Sequence, residues 1–194
     1  MALFNKQNVN QPVSQHNELE LKYNRARVNI LAVILFTLIN IIMLVTNGNT
    51  YFLFSAYIPY LLADLGMLLG GRYPSEFYVG VNAGLDSLGT PFFTFMLVIV
   101  AAILLVYLLC WIFSNKRRVG WMIAALVLFG IDTALMLLLN GISSEMIVDI
   151  VFHAWVVISL IIGISAHYKL KKLPPEEIEE TLELDEISQS AAEE

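Results

Sequence analysis

Three ionisable side chains lie inside long apolar stretches of this 194-residue sequence. Asp132 falls within residues 119–139, and Asp149 and His153 fall within residues 147–166. A short turn joins the two stretches, so an antiparallel hairpin places Asp132 beside His153. Asp149 precedes His153 by four residues, one helical turn, and therefore shares its face. Ionisable groups in such stretches are costly and usually face a protein interior or a water-filled cavity.

Asn40 is a fourth polar residue at a similar depth. It lies about seven residues from the end of the apolar stretch 28–46, and Thr37 flanks the same helix face. The next segment, residues 51–71, carries an acid and is followed by a base, and it can roof the region. The predicted polar cluster comprises Asn40, Asp132, Asp149 and His153, with Asp64 and Arg72 as contacts from the roof.

Such a cluster can bind a cation, relay a proton or hold a polar headgroup, or it can simply tie helices together through hydrogen bonds. Two carboxylates and a histidine suit a divalent metal by ligand type, but no HExxH motif or close histidine pair is present. A hydrolase would need a nucleophile beside His153. Ser143 and Ser144 lie in the nearby turn without a GxSxG frame. We therefore predict no catalytic residue and no cofactor, and leave a metal open.

The composition indicates that lipid surrounds these residues. The chain is 58% hydrophobic and 14% charged, with a mean hydropathy of +0.71, whereas soluble domains have about 45–50% apolar and about 25% charged residues. Each of four apolar runs is long enough to cross the hydrocarbon core as a helix. The fold predicted is therefore all-α, a polytopic membrane protein with four transmembrane helices. The spans are residues 28–46, 91–113, 119–139 and 147–166.

Basic residues decide how the segment 51–71 is interpreted. If it crosses the membrane, the 11 Lys and Arg residues divide almost evenly between the two sides. If it does not cross, Arg72 alone lies outside and the other ten lie inside, as the positive-inside rule expects. We therefore predict an outer segment over residues 47–90 that is re-entrant or lies flat, with helical pieces at 51–57 and 59–70. GMLLG (66–70) and GVNAG (80–84) within it match the spacing of close helix contacts.

The remaining segments complete a predicted chain with both termini in the cytoplasm of a cell. Residues 1–27 form a polar segment that becomes helical near the membrane, residues 28–172 form the bundle, and residues 173–194 form an acidic tail. That tail is a disordered solubilising segment or a short helix for a partner. Two basic clusters, at 116–118 and 169–172, set the topology or contact anionic lipid.

The stretches RARVNILAVILFTLINIIML and YFLFSAYIPYLLADLGMLLGGRYPSEFY resemble small multi-spanning membrane proteins of low-GC Gram-positive bacteria that carry no assigned activity. The resemblance covers about residues 25–80 and implies a bacterial cell membrane but no function. A first helix followed by a submerged outer segment is also similar to rhomboid-type proteins. Their serine motif is missing here, so no protease activity is implied.

Two classes of function remain after this reasoning. The first is a non-enzymatic accessory or assembly protein that acts through helix packing and its cytoplasmic tails. The second is a small transporter or channel subunit whose conduit passes Asn40, Asp132 and His153. Four helices leave little room for a pathway, so the second class requires an oligomer. The expected partners are the bilayer and other membrane proteins or a second copy, with no nucleic acid.

Overall fold

The computed structural model describes residues 15–48, 55–115, 117–142 and 146–173, and these form helices and turns without a strand. The helices are α1 (Gln15–Val45), α2 (Tyr57–Leu69), α3 (Gly89–Ser114), α4 (Val119–Asn140) and α5 (Ile147–Leu170), with short 3-10 turns at Ser75–Tyr78 and Gly80–Asn82. All but α2 are long and apolar enough to cross a membrane. The predicted all-α architecture with four spans is therefore confirmed.

Helix α1 extends well beyond its apolar run. It starts at Gln15, whereas the predicted span starts at residue 28. Lys22 and Glu18 form an ion pair one turn apart at 2.5 Å, and Leu19 and Tyr23 are buried, so the polar end of the helix still has a packed face. The expected helical approach to the membrane is present. The other long helices begin and end within a few residues of their predicted spans.

Helices α1 and α5 pack closely along their length. A Cβ atom added to Gly163 would lie 2.4 Å from the Cβ of Ala26, so the two backbones approach at a distance that only glycine permits. Farther along, the Asn29 side-chain amide donates to the Ser159 hydroxyl at 2.5 Å. The α1–α5 pair contacts the other three helices: α2 and α3 pack on α1, and α4 packs on α5.

Helix α2 packs its C-terminal half on α3 through glycines. A Cβ on Gly66 would lie 2.9 Å from the Cβ of Met96, and one on Gly70 would lie 2.6 Å from the Cβ of Phe93. The spacing in residues 66–70 thus marks a real helix contact. The same spacing at 80–84 does not mark a helix contact, because a Cβ atom added to Gly80 or Gly84 would have no neighbour within 4 Å.

The axis of α2 runs along the bundle. Its start bonds to Thr37, and just past its end the Arg72 carbonyl accepts from the Asn47 side chain at 3.3 Å. Thr37 lies eight residues before the end of α1 at Val45, about 12 Å of helix, and Asn47 lies in the turn that follows. Helix α2 therefore runs along α1, from inside the bundle to its end. Of the predicted first piece, 51–57, residues 51–54 lie outside the described residues, Ser55 and Ala56 are not helical, and Tyr57 is the first residue of α2.

Candidate functional site

The buried start of α2 is the centre of the polar cluster. The backbone N–H of Ala56 donates to the Thr37 hydroxyl at 2.8 Å. The N–H groups of Tyr57 and Ile58 donate to the two carboxylate oxygens of Asp132, at 2.9 and 2.7 Å. The next residue, Pro59, has no N–H. Every donor that a helix start leaves unpaired is thus satisfied by another helix or absent.

Asp132 replaces a cap that the local sequence lacks. The residue before α2 is Ala56, which offers no side-chain acceptor. Lipid offers none either, so a helix that begins inside a bundle needs acceptors from its neighbours. The carboxylate, 1% exposed, supplies two of them and places negative charge at the positive end of the helix dipole. The primary role of Asp132 in this structure is to cap α2.

His153 contacts the same carboxylate. Its Nδ1 lies 2.8 Å from the backbone carbonyl oxygen of Asp149, and since a carbonyl can only accept, Nδ1 carries a hydrogen. Its Nε2 lies 3.3 Å from a carboxylate oxygen of Asp132, so the contact is attractive only with a proton between the two atoms. Phe129 stacks on the imidazole at 4.9 Å between ring centroids. The predicted pairing of Asp132 with His153 is present, and both side chains are buried.

Asn40 reaches the same segment by another route. Its side-chain amide, 1% exposed, donates to the Ser55 hydroxyl at 2.8 Å. Side chains of α1 and α4 together therefore hold the short extended stretch, residues 55–56, and the first turn of α2.

Asp149 borders an open cleft beside the cluster. It lies in the first turn of α5 and is 6% exposed. The cleft has a volume of about 260 Å³. Its walls are Tyr57, Tyr60, Met136, Asn140, Met146, Asp149 and His153. The walls of this cleft thus carry one acid, several hydrogen-bonding groups and two thioethers.

The two predicted roof contacts anchor the other end of α2. Asp64 lies seven residues after Tyr57, about 10 Å along the helix, and accepts a hydrogen bond from the Tyr73 hydroxyl. Burial and this bond to Asp64 raise the pKa of the Tyr73 phenol, which keeps it a donor. The Arg72 guanidinium lies 5.0 Å from the centre of the Phe93 ring. These contacts attach α2 to α3 and to the following turn.

A family model matches almost the whole chain, over residues 3–193, and its description is "Region of unknown function (DUF2417)". The chain belongs to this family. No curated protein and no solved structure matches it. The function of this DUF2417 chain must therefore be argued from the geometry of the cluster and its surroundings.

The cluster of this DUF2417 chain does not form a ready metal site. Within the described ranges, no three His, Cys, Asp or Glu side chains are placed to share an ion. Both oxygens of Asp132 already accept backbone N–H groups. The turn serines, Ser143 and Ser144, lie outside the described residues.

Sequence reasoning found the side chains of the cluster but missed what they bind. Ser55 and the three backbone N–H groups at 56–58 were not expected as partners, and Thr37 was only a flanking residue. One signal was present: an apolar helix preceded by alanine and opened by Tyr-Ile-Pro has no cap of its own. Such a helix start inside a bundle calls for acceptors on neighbouring spans.

Proposed function

We propose that this chain is a non-enzymatic membrane protein, an accessory or assembly component that acts through helix packing and its terminal segments. The observation that supports this is the use made of Asp132. An ion or proton carrier needs a carboxylate that can change partners, but both oxygens of Asp132 hold the first turn of α2. The buried carboxylate of Asp132 therefore has a structural role.

The packing of the bundle supports the same proposal. The cavity between the long helices has a volume of only about 10 Å³, and its lining atoms are apolar. A space of that size holds about one water molecule, which a dry apolar wall does not retain. This cavity therefore offers no hydrated path between the long helices.

The location proposed is the cell membrane of a bacterium, with both termini in the cytoplasm. The ten-to-one division of basic residues supports this orientation, and the described helices make the membrane setting itself plain. A cysteine at the exposed Ser75, in a Cys110→Ala background, should react with an impermeant maleimide in intact cells. A cysteine at Asn115, exposed at the other end of α3, should react only after lysis. The reverse pattern would overturn the orientation.

The alternative is a small transporter or channel subunit with a polar site near the outer face, formed by Asn40, Asp132 and His153. One observation favours it: the cleft beside His153 is open and carries the acid Asp149. A second copy would have to extend that cleft into a conduit, since the chain alone does not.

Reconstitution separates the two proposals. Vesicles containing the purified wild type should show no more proton or monovalent cation flux than vesicles without protein, and Asp132→Asn and His153→Ala should not change this. Flux in the wild type that both variants abolish, with folding retained, would refute the packing role.

In mild detergent, the chain from native membranes should run as a complex well above its 21.8 kDa mass plus micelle. A chain that is wholly monomeric there would also contradict the assembly role.

A further inference from the structure

One ring nitrogen of a buried imidazole at the other end of the bundle has no hydrogen-bond partner in the described part of the chain. His167 lies in the last turns of α5 and is 4% exposed, with its ring against Tyr23 at 5.7 Å between centroids. Its Nε2 contacts no donor or acceptor in the described part of the chain. Buried polar nitrogens are nearly always paired, so this Nε2 calls for a partner that the described residues do not supply.

That imidazole lines a cavity with a basic wall. The cavity has a volume of about 360 Å³, and His167 borders it together with Arg117, Lys171 and two leucines, Leu170 and Leu173. Arg117 comes from the connection between α3 and α4, and Lys171 comes from the turn after α5. Two segments far apart in the chain thus bring positive charge to one recess, whose apolar lining is Leu170 and Leu173.

The acidic and carbonyl groups near this recess are already engaged. Glu20 of α1 is ion-paired with Arg117, which keeps further N–H groups because a guanidinium has five. The last carbonyls of α5 are engaged too: the N–H of Lys171 bonds to His167 and that of Lys172 bonds to Lys169. The Tyr23 hydroxyl donates to the Ser114 carbonyl oxygen at 2.7 Å. Among the lining residues, the side chains of Arg117, Lys171 and His167 offer donors to a ligand.

We propose that this recess binds the phosphate group of an anionic phospholipid. Arg and Lys supply charge-assisted hydrogen bonds to phosphate oxygens, and an Nε2–H of His167 supplies a neutral one. The leucines suit the glycerol and upper acyl region of a lipid better than a hydrated ion. The recess lies at the end of four apolar helices, where headgroups are found, and on the side that the positive-inside rule assigns to the anionic leaflet.

Lipid selectivity in vesicles tests this site. The full chain is placed in phosphatidylcholine vesicles with increasing phosphatidylglycerol, whose brominated form quenches Trp111 and Trp121 near this end. The relative affinity for phosphatidylglycerol should fall about tenfold in His167→Phe, which keeps the ring and alters no charge. His167→Gln, which restores a donor, should recover part of the affinity. Equal affinity in the wild type and His167→Phe, with both folded by circular dichroism, would overturn the proposal.

A charge control separates a site from general attraction. Arg117→Gln and Lys171→Gln should each lower the affinity about fivefold, whereas Arg118→Gln, a neighbour that does not line the recess, should have a smaller effect. Equal losses in all three would mean unspecific attraction to the surface and would overturn the site. Inorganic phosphate is the second arm. Displacement of phosphatidylglycerol by millimolar phosphate would assign the recess to a soluble phosphate and overturn the lipid assignment.

Discussion

Replacing Asp132 with asparagine changes one buried oxygen into an NH₂ group, which cannot accept a hydrogen bond. In the wild type the two oxygens accept from Tyr57 and Ile58 at 2.9 and 2.7 Å. In Asp132→Asn one of these N–H groups must face another donor. An apolar bundle offers this N–H group no water to bond instead, so the first turn of α2 should loosen.

The magnitude follows from these contacts. A buried N–H left without its partner costs about 1–3 kcal/mol, and loss of a charge at a partly buried helix start costs about 1–2 kcal/mol. We expect the free energy of unfolding to fall by about 3 kcal/mol. Hydrogen bonds between membrane helices usually contribute less, about 0.6 kcal/mol, because their partners find substitutes. The backbone N–H groups of α2 have no such substitute.

The assay is unfolding of the purified chain by SDS in mixed micelles, with hydrogen exchange at the first turn of α2 as a local readout. Thr133→Val is the matched control. Thr133 is the next residue of α4, and its hydroxyl donates to the Phe129 carbonyl of the same helix at 2.8 Å, so its loss should cost under about 1 kcal/mol. Asp132→Asn should also speed exchange at Tyr57 and Ile58, and the control should not.

Two outcomes would contradict the proposed capping of α2 by Asp132. If Asp132→Asn lowers the free energy of unfolding no more than Thr133→Val does, the reasoning is wrong. Unchanged exchange at Tyr57 and Ile58 would be equally damaging, because it would mean that their N–H groups are held by something other than the carboxylate.

Two further predictions concern packing and pH. Gly163→Ala should lower the free energy of unfolding by about 1–3 kcal/mol, because its methyl group would lie 2.4 Å from the Cβ of Ala26. Gly130→Ala is the control: its methyl group would meet open space, so it should be neutral or stabilising in the same SDS assay. Equal effects of the two changes would contradict close packing of α1 on α5. Folding raises the pKa of the Tyr73 phenol, so the unfolded chain ionises first and stability should fall as pH rises past the usual phenol pKa of about 10. Tyr73→Phe should make that fall shallower, whereas an unchanged pH profile of unfolding would exclude a contribution from the Tyr73 phenol.

Much of the architecture follows from local pattern. Apolar runs long enough to cross a bilayer form helices because each backbone group must pair within its own segment. The pairing of Asp132 with His153 also follows, since a short turn forces α4 and α5 to lie antiparallel and sets their register. The basic residues, which prefer one side of a membrane, indicated that residues 51–71 do not cross.

The position of α2 could not be predicted from the sequence, because the connection 47–90 is long and does not fix which helix α2 packs against. Gly66 and Gly70 have the same spacing as Gly80 and Gly84, but only the first pair meets α3. The pattern is identical, so nothing local separates a contact motif from a loop.

The sequence by itself determined four apolar helices, their neighbours in the hairpins and the polar side chains that cannot face lipid. Only the tertiary structure decided that Asp132 caps α2, that Asp64 binds Tyr73 instead of joining the cluster, and that His167 and Arg117 share one recess. The physical reason is that a backbone N–H carries no sequence signature. The partner of Asp132 is the start of a helix, and its position becomes known only when the chain has folded back into the bundle.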